Sequence, residues 1–337
     1  MTVPAENGVP KVGPSVRMGS GVEFDLIRRL LGPPTDLGPA VVVGPGDDAA
    51  VVDLRRAVLS TDLTIEGVHF RRTWLTFAEA ASRAVVAAAS DLAAMAASPV
   101  AILVSLAVAP DQSDTVGELG EGIRSAARLL GVPLVGGDLT ASPGPVVINV
   151  TVLGETEAPV TRSGATPGDE IWVTGVLGGS AGAVSAWREG SEPDAELREA
   201  FVVPKARIEE ARWLVERGGV RAMIDLSDGL VGDAGHLAAA SGVRIVLDPQ
   251  AVPVHPGLTK KHASRLAMFG GEDYELCIVG EAGVFQPIVG SFKERFGAEL
   301  TRVGYVEEGD GVHARTDEGL TRIVAGGFDH FASSSSC

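Results

Sequence analysis

Hydrophobic positions recur along the chain at two spacings, one helical and one strand-like. In residues 22–31, VEFDLIRRLL, Phe24, Ile27, Leu30 and Leu31 share one helical face, and Gly32-Pro33-Pro34 closes the segment. Short apolar runs at 40–43, 49–52 and 57–60 read as strands. Thr76 and Glu79 form an S/T-x-x-E pattern, in which each side chain accepts the other residue's backbone amide, and they open an alanine-rich helix that carries Ser90 and Asp91 and ends at Ser98-Pro99. Alternating Ile102, Val104, Leu106 and Val108 predict a strand over 100–108. Val116, Leu119, Ile123, Ala127 and Leu130 predict a helix over 114–130, with Gly131 as its left-handed stop. Strands at 132–135 and 146–153 then flank a turn at Gly136-Gly137-Asp138.

The polar stretch TRSGATPGDE at 161–170 marks a domain junction. Beyond it the pattern predicts a strand at 171–174, a glycine-rich turn GVLGGSAGA, a helix from Pro204 to about Arg217 and the acidic stretch MIDLSDGL. A strand at 243–247, a turn at Gly270-Gly271, a strand at 274–279, a helix near 284–296 and a strand at 301–306 complete a second α/β region. Helices and strands alternate without the regular βαβ rhythm of a doubly wound sheet. The expected domains are 21–158 and 165–331, with residues 1–20 and the serine-rich tail 332–337 as frayed ends.

Composition narrows the chemistry. A length of 337 residues suits two domains, and no apolar run approaches the roughly 20 residues that span a bilayer. The first twenty residues have neither an apolar export core nor an arginine-rich amphipathic face, so the expected location is cytoplasmic. Two cysteines, Cys277 in an apolar run and Cys337 at the end, support neither a disulfide framework nor a zinc site. With 44 acidic against 28 basic residues, the surface repels nucleic acid and anionic membranes. An anionic substrate would need cations between itself and this protein.

The carboxylates fall in five stretches: GDDAA (Asp47, Asp48), STDLTIEGVHF (Asp62), SDLAAM (Asp91), GGD (Asp138) and DLSDG (Asp225, Asp228). Aspartate beside glycine is a common turn former, so each stretch alone has an ordinary explanation. Asp91 is harder to dismiss: it sits late in a helix, where the macrodipole disfavours an anion, between apolar flanks and with no Lys or Arg within a turn. Hard cations such as Mg2+ take oxygen ligands of this kind, and Ser60-Thr61-Asp62 offers three in succession. Several aspartates around magnesium point to polyphosphate binding and phosphoryl transfer. The chain has no EF-hand loop, no G-x-x-x-x-G-K-[ST] loop and no protein-kinase signature set. GVLGGSAGA lacks the lysine of a phosphate loop and reads equally well as a packing turn.

Taken in order, GPGDDAA, STDLTIEGVHF, SDLAAMAASP, VGGDLT, TRSGATPGDEIWVTG, IDLSDGL, GGEDYELC and GGFDHF resemble the thiamine-monophosphate kinase family over roughly residues 22–331. That family sits in the superfamily of aminoimidazole ribonucleotide synthetase, selenophosphate synthetase and a hydrogenase maturation factor. The resemblance implies an α/β plus α+β fold: an N-terminal domain whose sheet pairs with a second subunit's, and a C-terminal α+β domain. It implies ATP-dependent phosphorylation of thiamine monophosphate to thiamine diphosphate by direct in-line transfer, with several Mg2+ ions and a homodimer. Carried over by motif, Asp48, Ser60, Thr61, Asp62, Asp91, Asp138, Asp225 and Asp228 take metal positions. Gly137, Asp138, Arg162 and Ser227 take ATP, and His69, Glu272 and Phe328 take thiamine monophosphate. No residue in this set acts as a base apart from the metal ligands, because a phosphate acceptor is already ionised near neutral pH.

Two other readings are open on the same fold. A selenophosphate synthetase would carry a reactive Cys near the N-terminus, where only Lys11 occurs, and the hydrogenase factor's C-terminal cysteine has its parallel in Cys337 without the Pro-Arg context. A non-catalytic nucleotide-binding relative would have a broken aspartate set, and here the set is intact. One departure is the leucine of GGDLT, where the family commonly has threonine.

Overall fold

The computed structural model describes residues 22–33, 37–45, 50–259, 262–317 and 319–323. Asp47, Asp48, Phe328, the first twenty residues and the serine-rich tail lie outside them. The chain forms two compact units, one from Met1–Val85 with Pro99–Glu155 and the other from Val86–Ser98 with Thr156–Cys337. The division runs through a helix, so Ser90 and Asp91 belong to the second unit.

The first unit contains α1 (Val22–Leu31), β1 (Val41–Val43), β2 (Val51–Val52), β3 (Ala57–Ile65), the start of α2 (Phe77–Ala94), β4 (Ser98–Val108), α3 (Thr115–Leu130), β5 (Leu134–Ala141) and β6 (Val147–Glu155). The α2 capping box forms as expected: the Glu79 amide donates to Thr76 Oγ1 at 3.1 Å and the Thr76 amide to Glu79 Oε2 at 2.9 Å. Gly131, at φ 68°, stops α3 in the left-handed region. A four-stranded sheet in the order β3-β6-β4-β5 buries Ile102, Val104, Leu106, Ile148, Val150 and Val152 together with Val116, Leu119 and Ile123 of α3.

Two expectations change here. Ser60-Thr61-Asp62 lies within β3 and not at its end, because β6 pairs with the strand over all nine residues from Ala57↔Glu155 to Ile65↔Val147. Gly136-Gly137-Asp138 is not a turn but part of β5, parallel to β4 with Gly137 opposite Val104. A Cβ on Gly137 would lie 1.8 Å from the Val104 carbonyl oxygen, so only glycine permits this approach. Gly137→Ala is expected to cost about 3 kcal/mol, read as a lower urea midpoint. An unchanged midpoint would show that the strands can part freely at this point.

The second unit is built on a seven-stranded sheet in the order β13-β12-β9-β11-β7-β10-β8. Its elements are β7 (Glu170–Thr174), α4 (Gly179–Arg188), α5 (Ala195–Val202), α6 (Ile208–Glu216), β8 (Val220–Asp225), α7 (Leu230–Ser241), β9 (Arg244–Leu247), α8 (Ala263–Phe269), β10 (Leu276–Gly280), α9 (Val289–Phe296), β11 (Leu300–Glu307), β12 (Gly311–Thr316) and β13 (Gly319–Ile323). Ile171, Val173, Ile224, Ile245, Cys277, Val279 and Val303 form its core with Leu230, Ala234 and Leu237 of α7. The sequence pattern passed over α7 because LVGDAGHLAAAS has no broad polar stripe to mark a helical face. It passed over α4 because three of its first four residues are Gly or Ala and none caps it.

Candidate active site

The C-terminal end of β8 delivers Asp225 into the loop Leu226-Ser227-Asp228-Gly229, and α7 follows at once. The loop is zipped to Gly271–Glu275 by backbone bonds. The Glu272 amide donates to Ser227 O at 2.8 Å, Tyr274 to Leu226 O at 2.9 Å, and Leu226 to Glu275 O at 2.7 Å. Glu272 and Tyr274 adopt φ of 69° and 53°, conformations that L-residues avoid unless their surroundings hold them.

Asp225 is only 5% exposed. Burial, followed by the negative charge of Asp91, raises its carboxyl to about 6, while the Ser90 hydroxyl and Arg162 pull it the other way. Two carboxylates from distant parts of the chain therefore face each other within this unit. Asp233 in the first turn of α7 is 2% exposed. Burial raises its carboxyl to about 8, the Asp225 and Asp228 charges add to the rise, and the Asp228 amide, donating to Oδ2 at 3.1 Å, opposes it. Asp228, Asp233 and His236 each place one ligand-type atom within 4.8 Å of the others. Two carboxylates and one imidazole make up this set, and with Asp225 beside it the carboxylate oxygens are the donors that fit a hard divalent cation such as Mg2+. Arg162 is set beside it by Ser241, whose hydroxyl donates to Arg162 O at 3.4 Å and accepts the Gly164 and Ala165 amides at 3.2 Å.

The first unit holds the remaining described candidates. Along β3, Ser60 and Asp62 are half-buried on one side, while Thr61 alternates to the exposed side with Leu59 and Leu63. The Thr61 hydroxyl is engaged there, accepting from Asn149 Nδ2 at 3.1 Å and lying 3.2 Å from the Thr151 hydroxyl. Asp62 on β3 and Asp138 on β5 stand on opposite edges of the four-stranded sheet, about 14 Å apart by strand spacing. The sheet therefore does not bring these two together. His69 accepts the Ile65 amide on Nδ1 at 3.1 Å, so its proton is on Nε2.

Asp233, His236, Asp273 and Glu275 were not singled out from the sequence. For Asp233 and His236 the signal is an i, i+3 pair one turn into a helix, legible only once α7 is known to be helical. The glycine-rich turn resolves toward packing. The Asp273 carboxylate accepts the Gly178 and Ser180 amides at 2.6 and 3.3 Å, the donors that a phosphate would otherwise take.

Residues 46–156 match the AIR synthase related protein N-terminal domain, and residues 166–317 match the corresponding C-terminal domain. The thiamine-monophosphate kinase of Rhodopirellula baltica is 35% identical over 87% of this chain and 92% of its own. A solved structure described as AaThiL complexed with AMPPCP and TMP superposes with a TM-score of 0.73 at 31% identity, covering 82% of this chain and 87% of that one. The hydrogenase maturation protein HypE of E. coli superposes at a TM-score of 0.76 over 92% of this chain and 98% of its own, but at 20% identity it shares the fold alone.

Proposed function

The chain belongs to the thiamine-monophosphate kinase family of AIR synthase-related proteins, and from that membership we infer that it transfers the γ-phosphoryl group of ATP to thiamine monophosphate, yielding thiamine diphosphate. The observation that carries the substrate pair is the likeness, across most of both chains, to a structure holding AMPPCP and TMP. The hydrogenase-factor alternative has only the fold in its favour.

For the site we propose Asp91, Asp225 and Asp228 as cation ligands in the second unit, and Ser60, Asp62 and Asp138 in the first. Asp48 and Thr61 join this set through the family motif alone. When bound, Mg2+ supplies charge neutralisation and alignment of the phosphate oxygens. The chain's own residues supply the rest. Gly137 and Ser227 bring backbone close to ATP, Arg162 adds a cation beside Asp225, and Nε2 of His69 offers a donor to thiamine monophosphate. Glu272 opposes the thiazolium charge and Phe328 stacks on the rings. No separate base is required, since the acceptor phosphate is already anionic.

A homodimer is supported by β3, an edge strand with Leu59 and Leu63 exposed at 64% and 44%. In the described residues no helix is long and apolar enough to cross a membrane, and we place the enzyme in the cytoplasm.

Incubation of purified protein with MgATP and thiamine monophosphate should produce thiamine diphosphate, detected as its fluorescent thiochrome derivative. ADP released without that product would refute the substrate assignment.

A further inference from the structure

We propose that Asp273 is a positioning residue: its carboxylate clamps the start of α4 and thereby holds a strained turn that aims Ser227 and Asp228. The proposal rests on the reading of those two residues as site residues. Three observations carry it.

First, α4 has no cap of its own. Its N-cap residue is Gly178, at φ 87°, and the amides of Gly178 and Ser180 are met by Asp273 from a distant part of the chain. A charged acceptor on two amides at a helix start is a strong, directional contact. Second, the residues on either side of Asp273 are the strained ones. Of the non-glycine residues at positive φ among the described residues, Glu272 and Tyr274 flank it directly. Such a turn persists only where its surroundings over-determine it. Asp273 anchors its centre, and Glu275 anchors its end through Arg207, at 2.5 and 2.7 Å, and the Thr174 hydroxyl at 2.6 Å. Third, the turn is fastened to the site loop by backbone bonds. Glu272 and Tyr274 donate to Ser227 O and Leu226 O, and a Cβ on Gly271 would lie 2.4 Å from Ser227 O. Any shift of the turn is therefore passed directly to the backbone of Ser227 and Asp228.

Asp273→Asn and Asp273→Glu test this, with Mn2+ binding followed by electron paramagnetic resonance beside steady-state kinetics. Positioning predicts that both variants lose about tenfold in Mn2+ affinity and at least tenfold in kcat, because the first weakens the clamp and the second keeps the charge but adds a methylene. A purely electrostatic role would leave Asp273→Glu normal, and a purely structural role would lower Tm without changing Mn2+ affinity; either result overturns the proposal. Val303→Ala, a core truncation in the same unit, calibrates how a fall in Tm alone affects binding. Hydrogen exchange on the unaltered protein keeps the clamp testable even if no variant folds: the Gly178 and Ser180 amides, which donate to Asp273, should be strongly protected, and exchange at open-loop rates would refute the clamp. If the wild-type enzyme made no thiamine diphosphate, the assigned reaction would fail while the Mn2+ and exchange measurements still judged Asp273.

Discussion

Asp225→Asn is expected to lower kcat at least a thousandfold and, at pH 7.5 in EDTA, to raise the melting temperature. Both effects have one origin. The carboxyl of Asp225 is raised from 3.8 to about 6 by burial first and by Asp91 second. Its charged form is therefore disfavoured in the folded metal-free protein, by about 3 kcal/mol at neutral pH. A carboxylate with a raised pKa holds its proton in the folded state after the unfolded chain has released it. Its share of stability is thus full below about pH 4, falls as the pH rises to about 6, and stays low above that. Asp233 extends the same trend to about pH 8. In EDTA the wild-type melting temperature should accordingly fall between pH 4 and 8, and Asp225→Asn should flatten the lower part of that fall. Scanning calorimetry across this range, paired with kinetics in Mg2+, checks the claim. A variant that kept near-normal turnover would remove Asp225 from the proposed ligand set, and an unchanged melting temperature at pH 7.5 would remove the repulsion.

Arg207→Ala should have the largest effect on stability, a loss of about 3–5 kcal/mol. Arg207 and Glu275 are 8% and 7% exposed. Burial works to lower the arginine's pKa, yet Glu275 and Glu210 overcome it and hold the guanidinium well above its ordinary range. Among the described residues, removing the arginine leaves the buried Glu275 carboxylate with the Thr174 hydroxyl, at 2.6 Å, as its hydrogen-bond partner. The double variant Arg207→Met with Glu275→Gln keeps that hydrogen bond and removes both charges, so it should recover more than half of the loss. Urea midpoints of the two variants against wild type provide the measurement. Equal losses in the single and double variants would show that lost packing, and not the stranded charge, is responsible.

Short-range order was well expressed in the sequence. The Thr76–Glu79 capping box, the Gly131 stop and the alternation of Ile102 to Val108 need only near neighbours in the chain, and all three appear as expected. Elements whose signal depends on what packs against them were not legible. The α7 helix carries apolar residues on most of its surface because it packs against both the sheet and α8, and β12 with β13 forms a hairpin whose outer strand is exposed at nearly every position. The Gly-Gly-Asp stretch reads as a turn by composition, whereas its place in a strand depends on Val104, a residue far away in the chain.

The candidate site divides along the same line. Composition and motif order alone yielded the candidate aspartates, the proposal of a cation among them and the family, because these depend on residue type and spacing. Tertiary structure decided which carboxylates confront one another: Asp91 meets Asp225 in one unit, Asp233 and His236 join Asp228, and Asp62 stands across the sheet from Asp138. It also decided that Asp273 caps a helix and that Thr61 faces away from Ser60 and Asp62. The physical reason is range: propensity and capping act over a few residues and are written locally. Burial and charge repulsion depend on distances in space that only the folded chain sets.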